Sequence, residues 1–131
     1  AVSNTVDATV DFAHGTTLSH GMSIVDGGID EAVGAANSTG GRFSRPGSFH
    51  TFPVTPGNQH GAQLAYEMSL KHGGDSCVLI CRLPVSTYDE LVDNGHVIVE
   101  SIPGVSIPQV VFTPGGFSTI NDVADWTLMK P

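Results

Sequence analysis

The segment Ser76-Cys77-Val78-Leu79-Ile80-Cys81-Arg82-Leu83-Pro84 constrains the fold most. From Cys77 to Leu83 every side chain except Arg82 is apolar. A half-buried strand alternates apolar and polar residues, whereas a strand apolar on both sides needs cover on both sides. The run is therefore expected to be a central strand, closed by Pro84, which has no N–H to offer a ladder. Arg82, the exception, is expected as a salt-bridge partner of Asp89 or Glu90.

The rest of the chain supplies elements that fit around such a strand. Val10 and Phe12 alternate with Asp11, which reads as a half-buried strand ending at His14-Gly15. Thr16 or Thr17 can cap a following helix, whose Leu18, Met22, Val25 and Ile29 recur on one side and which stops at Gly27-Gly28. Asp30 to Gly41 has no periodicity and reads as a loop. Phe49 and Thr51 then share one face of a short strand, with His50 and Phe52 on the other. A second helix is expected between Thr55-Pro56 and Gly73-Gly74, carrying Ala62, Ala65, Tyr66, Ser69 and Leu70 at helical spacing. Ser86 to Asp89 resembles a capping box ahead of Leu91 and Val92. Strands follow at His96–Glu100, Gln109–Phe112 and Trp126–Met129, with Phe117 and Ile120 on one helical turn between the last two. Strands dominate, so the expected class is α+β with antiparallel or mixed pairing, in a single domain spanning 1–131.

Charge narrows the partners. The formal net charge is −8, and only Arg42, Arg45, Lys71, Arg82 and Lys130 are basic. Such a surface repels a phosphate backbone, so nucleic acid is not an expected partner, although a local pocket can still hold a nucleotide. No run approaches the roughly eighteen apolar residues of a membrane span. The chain opens on Ala1 with no basic-then-apolar segment, which leaves open the removal of a leader or of an initiator methionine. Cys77 and Cys81 lie four residues apart on one strand face, about 13 Å along the chain. A disulfide needs Cα atoms within about 7 Å, so they are expected to stay free, which suits a reducing, cytoplasmic compartment better than a secreted one. They lack the companions of a zinc site, and no metal is expected. His20, His60, His72 and His96 read as surface residues.

His14-Gly15-Thr16, followed by Ile24-(x)2-Gly27-Gly28-Ile29, resembles the opening motif of the ADP-ribosyltransferase superfamily, poly(ADP-ribose) polymerase branch. The likeness extends coarsely over residues 8 to 113. Arg45-Pro46-Gly47-Ser48-Phe49 stands where that family has its second strand, Gly61 to Tyr66 is similar to the helix after it, and Ile107 to Phe112 matches the third strand. The resemblance implies a split β-sandwich with two main helices, and NAD as substrate. It implies that His14 hydrogen-bonds a ribose hydroxyl, that Gly15 offers its peptide N–H and C=O to the nicotinamide carboxamide, that Thr16 belongs to the same cofactor-binding motif, and that Phe49 stacks on the nicotinamide ring. Core packing is the alternative for Phe49. Arg42 or Arg45 would meet the pyrophosphate, against an alternative of solvated loop charge.

The departure is Gln109, which stands where the family has its catalytic glutamate. Cleaving the nicotinamide–ribose bond builds an oxocarbenium-like cation, which a carboxylate stabilises and a neutral amide does not. Losing one such group typically costs about 2.7–4 kcal/mol, two to three powers of ten in rate. Weak transfer of ADP-ribose to a protein or small acceptor, or weak NAD hydrolysis, is therefore the expectation, with Glu100 as the nearest substitute acid. Two other readings stand beside it. One is a non-catalytic nucleotide or protein interaction module on the same fold. The other is a small hydrolase or ribonuclease-like toxin using His14 and His50 as an acid–base pair.

Overall fold

A computed structural model describes residues 8–30, 47–55, 57–70 and 75–129. Along the chain they form β1 (Thr9–Thr17), α1 (Leu18–Gly27), β2 (Phe49–Val54), α2 (His60–Ser69) and β3 (Ser76–Pro84). Then come α3 (Val85–Asp93), β4 (Val97–Glu100), β5 (Gln109–Phe112), a one-turn 3-10 helix (Pro114–Gly116), α4 (Phe117–Val123) and β6 (Asp125–Met129). The class is α+β as expected. The six strands make one open sheet in the order β4-β5-β2-β1-β3-β6, with every neighbouring pair antiparallel. Four α-helices accompany it among the described residues, the two main ones expected early and the two short ones expected later, and none is long and apolar enough to cross a membrane.

β3 takes the position that its composition demands, with β1 on one side and β6 on the other. Its residues alternate between two apolar layers. Leu79, Cys81 and Leu83 join Phe12, Phe49, Val110 and Phe112 on one face, covered by Ile29 after α1, Leu91 of α3, and Phe117 and Ile120 of α4. Val78 and Ile80 join Ala13, Phe52 and Val54 on the other face, under Leu64 and Ala65 of α2. Arg82 is the exposed exception, and it pairs with Asp11 rather than with Asp89 or Glu90. The reason is register: Asp11 lies directly across the ladder, so Nε reaches Oδ1 at 2.8 Å and Nη2 reaches Oδ2 at 3.1 Å.

β2 changes partner along its length. Phe49 to Thr51 pair with β5, from Phe49↔Phe112 to Thr51↔Val110. From Phe52 to Val54 the strand pairs with β1 instead, from Ala13↔Phe52 to Asp11↔Val54. The buried Thr51 reinforces the first half, its Oγ1 donating to the Val110 carbonyl at 2.8 Å.

Several local expectations shift for identifiable reasons. β1 runs on through Gly15 to Thr17 instead of ending at His14, because β3 pairs with it all the way to Thr17↔Ser76. Thr17 is the cap of α1, its Oγ1 accepting from the His20 N–H at 3.4 Å. The helix ends as the glycines predict: Gly28 adopts φ +85° and returns its N–H to the Ile24 carbonyl at 2.7 Å. Its buried side, however, is not the stripe through Met22 and Val25, which are 53% and 42% exposed. The helix approaches the sheet through Gly21, where a Cβ would stand 2.5 Å from Leu128 Cδ1 and 3.4 Å from Cys77 Sγ. That close approach turns Ile24 inward and Met22 outward.

α2 starts later than Thr55. Thr55 and Asn58 exchange both main-chain hydrogen bonds in a tight turn, and Asn58 Oδ1 then accepts from the His60 N–H. Pro56, Gly73-Gly74, His72 and most of the expected loop from Asp30 to Gly41 lie outside the described residues. α3 follows Pro84 directly, with no side-chain cap bond. Ser86 is therefore inside the helix, not its cap. His96 is half-buried, its ring pressed against Gly115 and Gly116.

Candidate functional site

The change of partner by β2 defines the place of interest. Beyond Ala13, β1 remains paired with β3, from His14↔Leu79 to Thr17↔Ser76, while the facing half of β2 is paired with β5. The two strands diverge there, and His14 stands at the fork.

Its ring lies against Phe49, with centroids 4.4 Å apart and planes at 34°. His14 Nδ1 is 2.7 Å from the His50 main-chain oxygen. A carbonyl oxygen only accepts, so Nδ1 carries the hydrogen. His14 thus sits between an aromatic ring and a peptide carbonyl, both supplied by the first two residues of β2.

Phe49 is 4% exposed. Besides His14, it meets Trp126 edge-on at 5.9 Å and Phe112 at 6.4 Å. Core packing, the alternative weighed from its sequence position, describes these surroundings.

Gly15 and Thr16 are fixed from outside the strand. A Cβ on Gly15 would stand 1.8 Å from the Ala65 carbonyl oxygen and 2.9 Å from the Ser69 nitrogen. The glycine is thus the seat on which α2 rests, main chain to main chain. Its φ is not positive, so space and not backbone conformation demands it. Thr16 is buried beneath α1, its methyl near Gly21.

Gln109 opens β5 at 8% exposure, directly opposite the half-buried Glu100. Side chains alternate across a sheet. Val110 and Phe112 belong to the layer that holds Phe49, so Gln109 and Glu100 occupy the other face. The structure unites His14 and Phe49; Gly15 faces α2 on the other side of the sheet, and neither Gln109 nor Glu100 is set beside the His14 ring. The same alternation separates His50 from Phe49, and the His50 ring returns its Nδ1 hydrogen to the Ser48 carbonyl at 3.2 Å. The interaction between the two histidines is ring to peptide, not the ring-to-ring relay of an acid–base pair. Arg42 and Arg45 lie outside the described residues.

Trp126 and the His50 carbonyl are the contributors that sequence reasoning missed. A lone tryptophan was the only signal for the first, and main-chain groups leave none. Cys81 offers no nucleophile: burial first, then the Asp11 charge, pushes its thiol up to about 12. Among the described residues no group of three His, Cys, Asp or Glu side chains is arranged to hold a metal ion. No family model, no curated protein and no solved structure matches this chain.

Proposed function

We propose that this chain is an ADP-ribosyltransferase-like protein that binds NAD, or a related ADP-ribose-bearing nucleotide, at the fork between β1 and β2. The observation that carries the reading is the His14 ring, held 4.4 Å from Phe49 with its Nδ1 hydrogen committed to the His50 carbonyl. The order of elements supports it too: a helix capped by Thr17 follows the His-Gly-Thr strand, a second helix follows β2, and Gln109 begins β5. The diverging edges of β1 and β2 suit a carboxamide, which pairs with main-chain donors and acceptors as another strand would.

Turnover by such a protein is weak, because the residue at 109 is an amide and its side chain faces away from His14. The same two facts favour a second reading, a nucleotide-binding module without transfer. Nicotinamide release and melting temperature, measured with and without NAD, separate the two. At one hundred times Kd, NAD raises stability by about 2.7 kcal/mol, and His14→Ala removes that rise while the ligand-free protein still melts cooperatively. Release that increases in Gln109→Glu marks a transferase; a melting shift without release marks the module. A Gln109→Glu variant slower than a measurable wild-type rate would mean that β5 is not the family's third strand. With neither shift nor release, but with cleavage of RNA or an ester, the histidine hydrolase would replace both readings.

A further inference from the structure

We propose that the exposed side of α1 is a docking surface for a cationic amphipathic helix of a partner protein. The proposal stands apart from the nucleotide-binding reading, since none of the residues assigned to that site belongs to α1. Leu18, Met22 and Val25 recur at the spacing of a buried helix side, yet Met22 is 53% and Val25 42% exposed. Gly21 explains the inversion: the helix meets Leu128 and Cys77 through its smallest residue, and the large apolar residues are turned to solvent. At its start the stripe borders an open hollow of about 430 Å³, which Leu18 and Met22 line together with Thr17, Ser19 and Asp75. An apolar ridge beside a hollow is what a facing helix covers, its own i, i+3, i+4 and i+7 side chains interlocking with the ridge.

Charge selects the occupant. α1 contains no Lys or Arg, so it lacks the cations with which an interfacial helix meets anionic lipid. A second copy would bring one net charge of −8 against another. Asp26 is exposed and follows Met22 by four residues, so it rims the stripe. It stands in the last turn of α1, where the carbonyl end of a helix is already negative. Arg82 is the only Lys or Arg among the described residues; it projects from the opposite face of the sheet, held by Asp11. A partner helix with Lys or Arg beside an apolar seam therefore finds apolar surface along the stripe and negative charge at its end.

Two synthetic helical peptides that share a leucine seam, one filled out with Lys and the other with Glu, test this by amide NMR shifts and titration calorimetry. The Lys peptide is expected to shift the amides from Leu18 to Asp26, and the Glu peptide to leave them in place. The double variant Met22→Gln/Val25→Gln changes exposed positions to a good helix former. It should weaken the Lys peptide by about tenfold or more while the melting temperature holds. Asp26→Asn should weaken it by about two- to threefold at low salt and flatten its salt dependence. Lys-peptide binding that ignores Met22 and Val25, with shifts scattered over the acidic surface, is adventitious charge pairing and overturns the proposal. Equal binding of the two peptides, or of neither, overturns it as well. Self-association of the chain through α1, or binding of α1 to anionic vesicles in place of the Lys peptide, would assign the surface to a second copy or to lipid instead.

Discussion

Gly15→Ala is the sharpest perturbation of this fold. The added methyl would stand 1.8 Å from the Ala65 carbonyl oxygen, 2.8 Å from its carbon and 2.9 Å from the Ser69 nitrogen. All three are main-chain atoms of α2, so no rotamer relieves the clash. To restore the 3.4 Å of ordinary contact, that turn of helix must retreat by about 1.6 Å. Leu64, Ala65 and Ser69 are all buried at this seam, and a gap of even 1 Å forfeits a quarter to a half of each dispersion contact. Adding overpacking of about 1–3 kcal/mol, the expected loss is about 3 kcal/mol or more. At about 3–5 °C per kcal/mol for a domain of this size, melting falls by about 10–15 °C. Circular dichroism melts and urea titrations of wild type and Gly15→Ala measure it directly. Ala65→Gly in the same background should fail to rescue, because the obstacle is a carbonyl and not a methyl. A Gly15→Ala protein within about 1 kcal/mol of wild type would refute the main-chain seat, and with it the packing reason for glycine at this position.

The remaining expectations are narrower. Gln109→Glu raises nicotinamide release if the transferase reading holds, and His14→Ala abolishes the NAD-dependent melting shift. Asn121 Oδ1 accepts from the Ile29 N–H at 2.9 Å, and its Nδ2 donates to the Ile29 carbonyl at 3.2 Å. Asn121→Ala should therefore cost about 1–3 kcal/mol, read from urea midpoints, whereas a change below about 0.5 kcal/mol would deny that the clasp matters. Cys81 makes stability depend on alkaline pH. Its thiol is raised from 9.0 to about 12, chiefly by burial. Below about pH 9 both folded and unfolded chains keep the proton; above it the unfolded chain releases it first, and stability falls by up to about 1.4 kcal/mol per pH unit. Urea midpoints at about pH 8 and about pH 10.5 should diverge less in Cys81→Ala than in wild type; equal slopes would contradict the burial argument.

Much of this architecture was legible in residue patterns, for a common reason. β3, β5 and the glycine stop of α1 follow from local chemistry: apolar runs that need cover, and a left-handed cap that glycine makes cheap. The faces of β2 follow from alternation alone, with Phe49 and Phe52 falling in different layers. Periodicity failed at α1, where the spacing of Leu18, Met22 and Val25 suggested the buried side. Hydrophobic spacing assumes that large side chains mediate contact, but this helix docks through Gly21. Capping patterns failed likewise at Ser86, because Pro84 already starts α3.

For the candidate site, the chain's own chemistry determined that a histidine, a glycine and a threonine would lie at one end of a strand, ahead of a capped helix. It also determined that residue 109 is an amide where the resemblance implies a carboxylate. Only the tertiary structure decided that β2 parts from β1 at His14, that a carbonyl of the next strand sets the histidine's tautomer, and that Gln109 points to the opposite face. Those outcomes depend on register between segments distant in sequence. Register is selected by the fit of whole layers, Phe49 to Phe112 and Gly15 to Ala65, and that fit is a property of packed surfaces rather than of any one stretch of chain.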